Sequence, residues 1–247
     1  MKFSQILNKI FTPFRIANVW NIPIYLHWSW WMSAVLLLAV SPSAALLFIT
    51  LGFIVFLHEL GHCWAIHRSN LQVKDIMLYL IGGVARYSGN LDFKKEIFVT
   101  ICGPLVNVAL LPILSFISYL TSGSDLGYFV ERVSYINLII LIFNLIPAFP
   151  LDGGRILRAF LWSKYGLEKG TRFALVVANI FSLIMAVVGI VIGNFSLLLI
   201  ALFLYYTNQQ ENYKVSPNTQ NALEESQKTL SRLHDNLEKI RENHLKN

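Results

Sequence analysis

Long apolar runs constrain this 247-residue chain more than any other feature. Residues 27–40, 44–67, 96–120, 133–149, 173–192 and 195–207 are dominated by aliphatic and aromatic side chains. A bilayer core is about 30 Å thick, and about 20 helical residues cross it. Hydrophobic residues make up 55% of the chain and charged residues only 14%, and a soluble domain of this size has no need of so many unbroken runs. The runs therefore predict an all-α polytopic membrane protein with about six transmembrane helices.

The basic residues sort with that layout. Segments 2–15, 68–95, 155–172 and 214–246 fall on one side of a six-span chain and carry nineteen of the twenty Lys and Arg, with Arg132 alone on the other. The positive-inside rule then puts both termini in the cytoplasm of a multi-pass protein, expected in the cell membrane. The net charge of +6 follows from this asymmetry and does not point to nucleic acid.

The segments between the runs differ in character. Residues 1–20 place Phe3, Ile6, Leu7, Ile10, Phe11 and Phe14 at helical spacing among basic residues, which suits an amphipathic segment on the membrane surface or a plain lead-in to a span. No small-residue cleavage site follows a short apolar core there, so no removable signal peptide is expected. Pro23 makes residues 21–27 extended. Residues 71–89 read as a small membrane-associated β-hairpin, with Gly82-Gly83 as its turn signal. A polar loop is expected over 121–131 and a basic loop or surface helix over 155–172. In the tail, Leu223, Leu230 and Leu237 recur every seven residues, with Leu233 and Ile240 between them. That pattern fits a short coiled coil, which would join copies into a homo-oligomer, or equally a solvated amphipathic helix. The expected organisation is an N-terminal segment 1–20, a transmembrane core 21–207 and a cytoplasmic tail 208–247. Cys63 and Cys102 read as packed free thiols, and His27 as a packed or interfacial histidine.

One apolar run contains His58-Glu59-Leu60-Gly61-His62. On a helix, residues four apart turn through about 400°, so both imidazoles share a face and can close on one Zn²⁺. Glu59 lies about 100° round the helix and can reach a water at the metal without being a ligand. A catalytic zinc takes three protein ligands. Glu59 and Asp152 are the acids set within or at the end of an apolar run beside unusual backbone, which makes Asp152 the best third ligand. The competing role for Asp152 is a salt bridge to Arg155.

His-Glu-Leu-Gly-His in a second run, Gly103-Pro104-Leu105-Val106-Asn107 in a third, and Asn144-Leu145-Ile146-Pro147-Ala148-Phe149-Pro150-Leu151-Asp152-Gly153-Gly154-Arg155 closing a fourth resemble the site-2 protease family of intramembrane zinc metalloproteases. The resemblance spans roughly residues 21–207. It implies one zinc ion on His58, His62 and Asp152, with Glu59 as catalytic acid and base. It also implies that Asn144 contacts the substrate backbone or the developing oxyanion, and that the hairpin around Gly82 and Gly83 is a membrane-reentrant segment beside the active site. The chain departs from the family at Asn21, where glycine is common, and at Leu80-Ile81, where a proline is frequent. Its loops are short for the PDZ or CBS domain that relatives often carry, so a minimal member is expected.

The resulting expectation is an endopeptidase that cuts transmembrane protein substrates within the lipid bilayer. A substrate helix hides its carbonyls in internal hydrogen bonds and must unwind locally. A strand edge near residues 78–87 could hold it extended. Two other classes compete. A metal-ion transporter would need a polar path, yet the last two apolar runs have almost no polar side chains. A catalytically inactive membrane-protein-binding relative would have no need of Glu59.

Overall fold

The computed structural model describes residues 12–79, 82–89 and 91–215. Among them are four strands and seven helices: β1 Phe14–Val19, β2 Ile22–Leu26, α1 Trp28–Val40, α2 Pro42–Arg68, β3 Gln72–Tyr79, β4 Gly82–Ser88, α3 Phe93–Leu120, α4 Asp125–Asn144, α5 Asp152–Tyr165, α6 Leu167–Val191 and α7 Phe195–Val215. Four helices, α2, α3, α4 and α6, are long and apolar enough to cross a membrane, while α1 is apolar but short. The chain is thus a multi-pass helical protein with a small sheet. The heptad-spaced leucines of the tail and the first eleven residues lie outside the described residues.

Local chemistry sets the ends of the helices. Ser41 caps α2 by accepting from Ala44 N at 3.3 Å, and Pro42 occupies the first turn, where no amide is needed. The chain leaves α2 through Asn70, held at φ 58°. Asp92 caps α3 by accepting from Lys95 N at 2.8 Å, with Glu96 in the first turn. Pro104 and Pro112 both lie inside α3, which runs on through them. Helix α4 begins at Asp125, so the loop expected over 121–131 is only its first third; Ser124 caps the helix by accepting from Gly127 N.

The chain forms two compact units, residues 1–147 with 151–160, and residues 148–150 with 161–247. In the first, the sheet order is β1-β2-β3-β4. β1 pairs antiparallel with β2, β2 runs parallel to β3, and β3 pairs antiparallel with β4. The connection between the parallel strands is α1 and α2 together, which brings the sheet back onto α2. Ile22, Ile24 and Leu26 of β2 and Ile76 and Leu78 of β3 bury against Cys63 of α2. Cys63 is a packed free thiol, as expected. Helices α2 and α3 meet where Ala65 and Ile66 pack on Val99 and Cys102. A Cβ on Gly61 would lie 2.5 Å from Cys102 O, so the contact requires glycine.

Two expectations change here. The hairpin of residues 71–89 is half of a four-stranded sheet. Phe14–Val19, read as part of a helical amphipathic stretch, is one of its two edge strands. Helical spacing is satisfied there, but β1 and β2 are joined by Trp20 and Asn21 at φ 51° and 63°, a tight reversal that pairs the strands. Asn tolerates that left-handed conformation, which explains how it stands where the family commonly has glycine. The second change concerns Gly82-Gly83. Tyr79 pairs with Gly82, so both glycines belong to strand β4, and residues 80–81 lie outside the described residues. Further along, Arg86 donates to both carboxylate oxygens of Asp75 at 2.6 Å, and that carboxylate pushes the Arg86 pKa above its ordinary value.

In the second unit, α6 and α7 form a hairpin around Gly193, at φ 66°. Ala174, Leu175 and Ala178 of α6 and Ala201 and Leu204 of α7 are buried. A Cβ on Gly189 would meet Leu198 N at 2.9 Å. Helix α7 passes through the boundary expected at 207/208 and continues to Val215.

Candidate metal centre

Helix α2 places His58, Glu59 and His62 deep in an apolar segment, at 4%, 8% and 5% exposure. The four-residue spacing brings the two imidazoles edge to face, with centroids 4.7 Å apart and Nε2 atoms 3.1 Å apart. Each ring is held by its other nitrogen. His62 Nδ1 lies 2.8 Å from Val99 O and His58 Nδ1 2.6 Å from Asn107 Oδ1. A carbonyl only accepts, so His62 Nδ1 carries a proton. Asn107 Nδ2 donates to Asn137 Oδ1 at 2.7 Å, so Asn107 Oδ1 accepts and His58 Nδ1 also carries a proton. In the neutral rings both Nε2 atoms therefore present lone pairs to the same point.

Asp152 brings a third. It opens α5, just past the Pro147–Pro150 break, and is buried. Its Oδ2 lies 3.1 Å from His58 Nε2 and 3.3 Å from His62 Nε2, with no hydrogen-bond partner among the described residues. The other oxygen, Oδ1, lies 3.7 Å from Arg155 Nη1. The two roles weighed for Asp152 are thus divided between its two oxygens.

Three acceptors with no donor between them repel one another unless a cation joins them. Donors about 2.0–2.1 Å from a tetrahedral zinc sit about 3.3 Å from each other. The three separations match that edge, and two imidazoles with a carboxylate are a zinc donor set. Ligand atoms of His58, Glu59 and His62 also lie within 4.8 Å of one another, which makes Glu59 a rival third ligand. Asp152 fits better, because its Oδ2 lies within 3.3 Å of both Nε2 atoms and has no hydrogen-bond partner among the described residues. Glu59 Oε2 instead accepts from Ala85 N of β4 at 3.1 Å.

Glycines make the space. A Cβ on Gly103 of α3 would collide with the His62 ring and stand 2.7 Å from His58 Nε2. One on Gly83 would stand 2.5 Å from Glu59 Cγ. One on Gly153 would overlap Leu145 O, so the start of α5 packs directly on the end of α4. The structure thus gathers His58, His62 and Asp152 tightly, with Glu59 and Gly83 beside them. Gly82 has φ 149°, and a side chain there would meet nothing within 4 Å. Asn144 ends α4, half-buried, one residue before the carbonyl that touches Gly153. His27 is no part of the centre, since its Nδ1 accepts from Ser29 N to cap α1.

Sequence reasoning did not assign Asn107, Asn137 or Val99. Both asparagines are fully buried, and Asn137 Nδ2 donates back to Asn107 O at 2.9 Å. Their signal was an amide set inside each of two apolar runs, which needs a buried partner. Val99 acts through its backbone and leaves no trace in the sequence.

Comparison with known proteins agrees with this geometry. The profile of peptidase family M50 matches residues 46–127 and 121–188. A zinc metalloprotease of Methanocaldococcus jannaschii is 37% identical over 214 residues, covering 83% of this chain and 62% of that protein. Stage IV sporulation protein FB of Bacillus subtilis is 30% identical over 168 residues, covering 66% of this chain and 56% of that protein. The chain therefore spans less than two thirds of the length of these curated relatives. The solved structure of the site-2 protease from Methanocaldococcus jannaschii superposes with a TM-score of 0.64 at 36% identity, covering 81% of this chain and 95% of that one. The donor set, the folds and the matched sequence agree: the chain belongs to peptidase family M50, the site-2 protease family of zinc metalloproteases.

Proposed function

We propose that this chain is an intramembrane zinc metalloendopeptidase that hydrolyses a peptide bond in or near the transmembrane segment of membrane-protein substrates. The observation that carries this reading is the convergence of His58 Nε2, His62 Nε2 and Asp152 Oδ2 within 3.3 Å, beside Glu59, among apolar helices. In this reading His58, His62 and Asp152 hold one zinc ion. Bound there, zinc supplies Lewis acidity, which acidifies water to a pKa of about 7 and polarises a carbonyl.

Glu59 removes a proton from the attacking water and returns it to the leaving nitrogen, which gives one carboxylate both roles. The Ala85 amide holds its Oε2, so β4 sets the direction of the carboxylate. The Asn107–Asn137 pair holds the His58 ring and its tautomer, and Val99 O does the same for His62. Asn144 is assigned to the substrate backbone or the developing oxyanion. Gly83 keeps β4 free of a side chain against Glu59, Gly82 starts the strand beside it, and the backbone of β4 offers an unwound substrate a strand to pair with.

We read α1 and α7 as the first and sixth crossings, which leaves both termini and the sheet in the cytoplasm. Helix α1 is about 20 Å long and would require the bilayer to thin locally. Expected partners are transmembrane protein substrates whose helix can unwind locally, and the lipid bilayer.

The test is cleavage by the purified chain with zinc of a transmembrane substrate in detergent or vesicles. The expected result is a new peptide N-terminus within or near the transmembrane segment, absent for Glu59→Gln. Cleavage that persists unchanged in that variant would sink the assignment.

A further inference from the structure

The apolar seam between α6 and α7 contains one polar knot. Asn208 of α7 is fully buried. Its Nδ2 donates to Asn179 Oδ1 and to Ser182 Oγ of α6, both at 3.2 Å. Its Oδ1 accepts from Phe149 N at 2.9 Å. The preceding residue, Thr207, donates its hydroxyl to Phe149 O at 2.6 Å, its shortest contact, alongside the Phe203 and Leu204 carbonyls of its own helix. Two adjacent side chains of α7 thus take both backbone groups of Phe149.

Phe149 needs such partners. It sits in Pro147-Ala148-Phe149-Pro150, between the end of α4 and the start of α5, where the backbone makes no helix. Ala148 and Phe149 are buried, and the flanking prolines donate nothing. A buried amide and carbonyl without water must be satisfied by protein. A contact serving only to join α6 to α7 would require Asn179, Ser182 and Asn208, but neither Thr207 nor a bond to Phe149.

We infer that Thr207 and Asn208 are positioning residues for the metal-ligand segment. By gripping Phe149 they hold the unwound stretch from which Asp152 projects three residues later. This rests on the reading of Asp152 as a metal ligand. It gives α7 a part in holding the metal-ligand segment that its own side-chain chemistry does not suggest.

The experiment measures zinc affinity by chelator competition, and the visible absorption of the Co²⁺-substituted protein, in the purified full chain. Thr207→Val removes the hydroxyl and keeps the shape. It should lower zinc affinity by about tenfold or more, as loss of an outer-shell support does, and shift the Co²⁺ spectrum. Thr207→Ser should restore both. Asn179→Ala, which breaks a contact between α6 and α7 but none to Phe149, should keep wild-type affinity and spectrum. If Thr207→Val fails to fold, Thr207→Ala takes its place. Wild-type affinity and spectrum in the Thr207 variant, beside a clear loss in Asp152→Asn, would overturn the inference and leave the ligand reading intact. An equal loss in Asn179→Ala would assign the effect to the helix pair and also overturn it. Wild-type affinity in Asp152→Asn would remove the ligand reading itself, and this inference with it.

Discussion

Glu59 and Asp152 are both buried carboxylates beside the same histidines, yet their hydrogen bonding separates them. Glu59 spends Oε2 on a backbone amide, while among the described residues the polar partners beside Asp152 Oδ2 are the two imidazoles. Glu59→Gln should therefore keep zinc and lose cleavage. The loss should reach or exceed the upper part of the ~10²–10⁴-fold range for a general acid–base group, because the proposed mechanism uses Glu59 in both halves of the reaction. Asp152→Asn should lose metal affinity and activity together. Zinc content per chain, measured beside cleavage rate, checks both; metal lost from the first variant and kept by the second would reverse the roles. One step further out, Asn107→Leu removes the acceptor for His58 Nδ1–H and leaves Asn137 Oδ1 without the donor it has in Asn107 Nδ2, in an apolar surround. Zinc affinity should fall about 10–100-fold. Chelator competition that shows no change would mean that the His58 ring is held by packing alone.

Strand β4 links the sheet to the chemistry. Its Ala85 amide directs the Glu59 carboxylate, and the missing side chain of Gly83 leaves room for Glu59 Cγ. Gly83→Val should displace Glu59 while the three metal donors stay in place. A misplacement of about 1 Å can cost about 10²-fold, so cleavage should drop by that order with zinc retained. Gly82→Val should act differently. Its side chain would meet nothing within 4 Å, but φ 149° is a conformation that residues with a Cβ rarely adopt, so its cost is backbone strain at the start of β4. Comparing zinc content, cleavage and melting temperature of the two variants separates these causes. If Gly83→Val proved fully active, Glu59 would not depend on β4 for its position.

At the scale of the molecule, a positioning role for Thr207 and Asn208 extends the proposed catalytic core past the last apolar residues. A cut after Tyr206 would delete Thr207 and Asn208, both bonded to Phe149. A cut after Val215 spares α7 and removes only the heptad-patterned tail, which holds none of the site residues. The second truncation should retain cleavage of a model substrate in detergent, and the first should lose zinc affinity. Equal behaviour of the two would show that the end of α7 is dispensable. The six-crossing layout is checked separately: a reporter fused after Asn247 should be active only in the cytoplasm, and exoplasmic activity would contradict an even number of crossings.

The chain by itself determined the class of protein and the chemistry. Apolar runs of bilayer length leave little choice but membrane helices, and His58, Glu59 and His62 share a helix face by the geometry of 3.6 residues per turn. Asp152 was legible because an acid at the end of an apolar run, beside prolines and glycines, needs a reason to be there. Everything that depended on contact across sequence distance was decided by tertiary structure. The bonds of His58 to Asn107 and of His62 to Val99 O span 49 and 37 residues, and a backbone carbonyl carries no residue-specific signal. Strand β1 was hidden because apolar residues on a short segment satisfy more than one period, and only pairing with β2 selects between them. The glycines of β4 announced a turn, but the register set by β3 placed them in the strand, one against Glu59. The reach of α7 back to Phe149, 58 and 59 residues away, followed from the same cause: buried backbone must be satisfied by whatever the fold brings beside it.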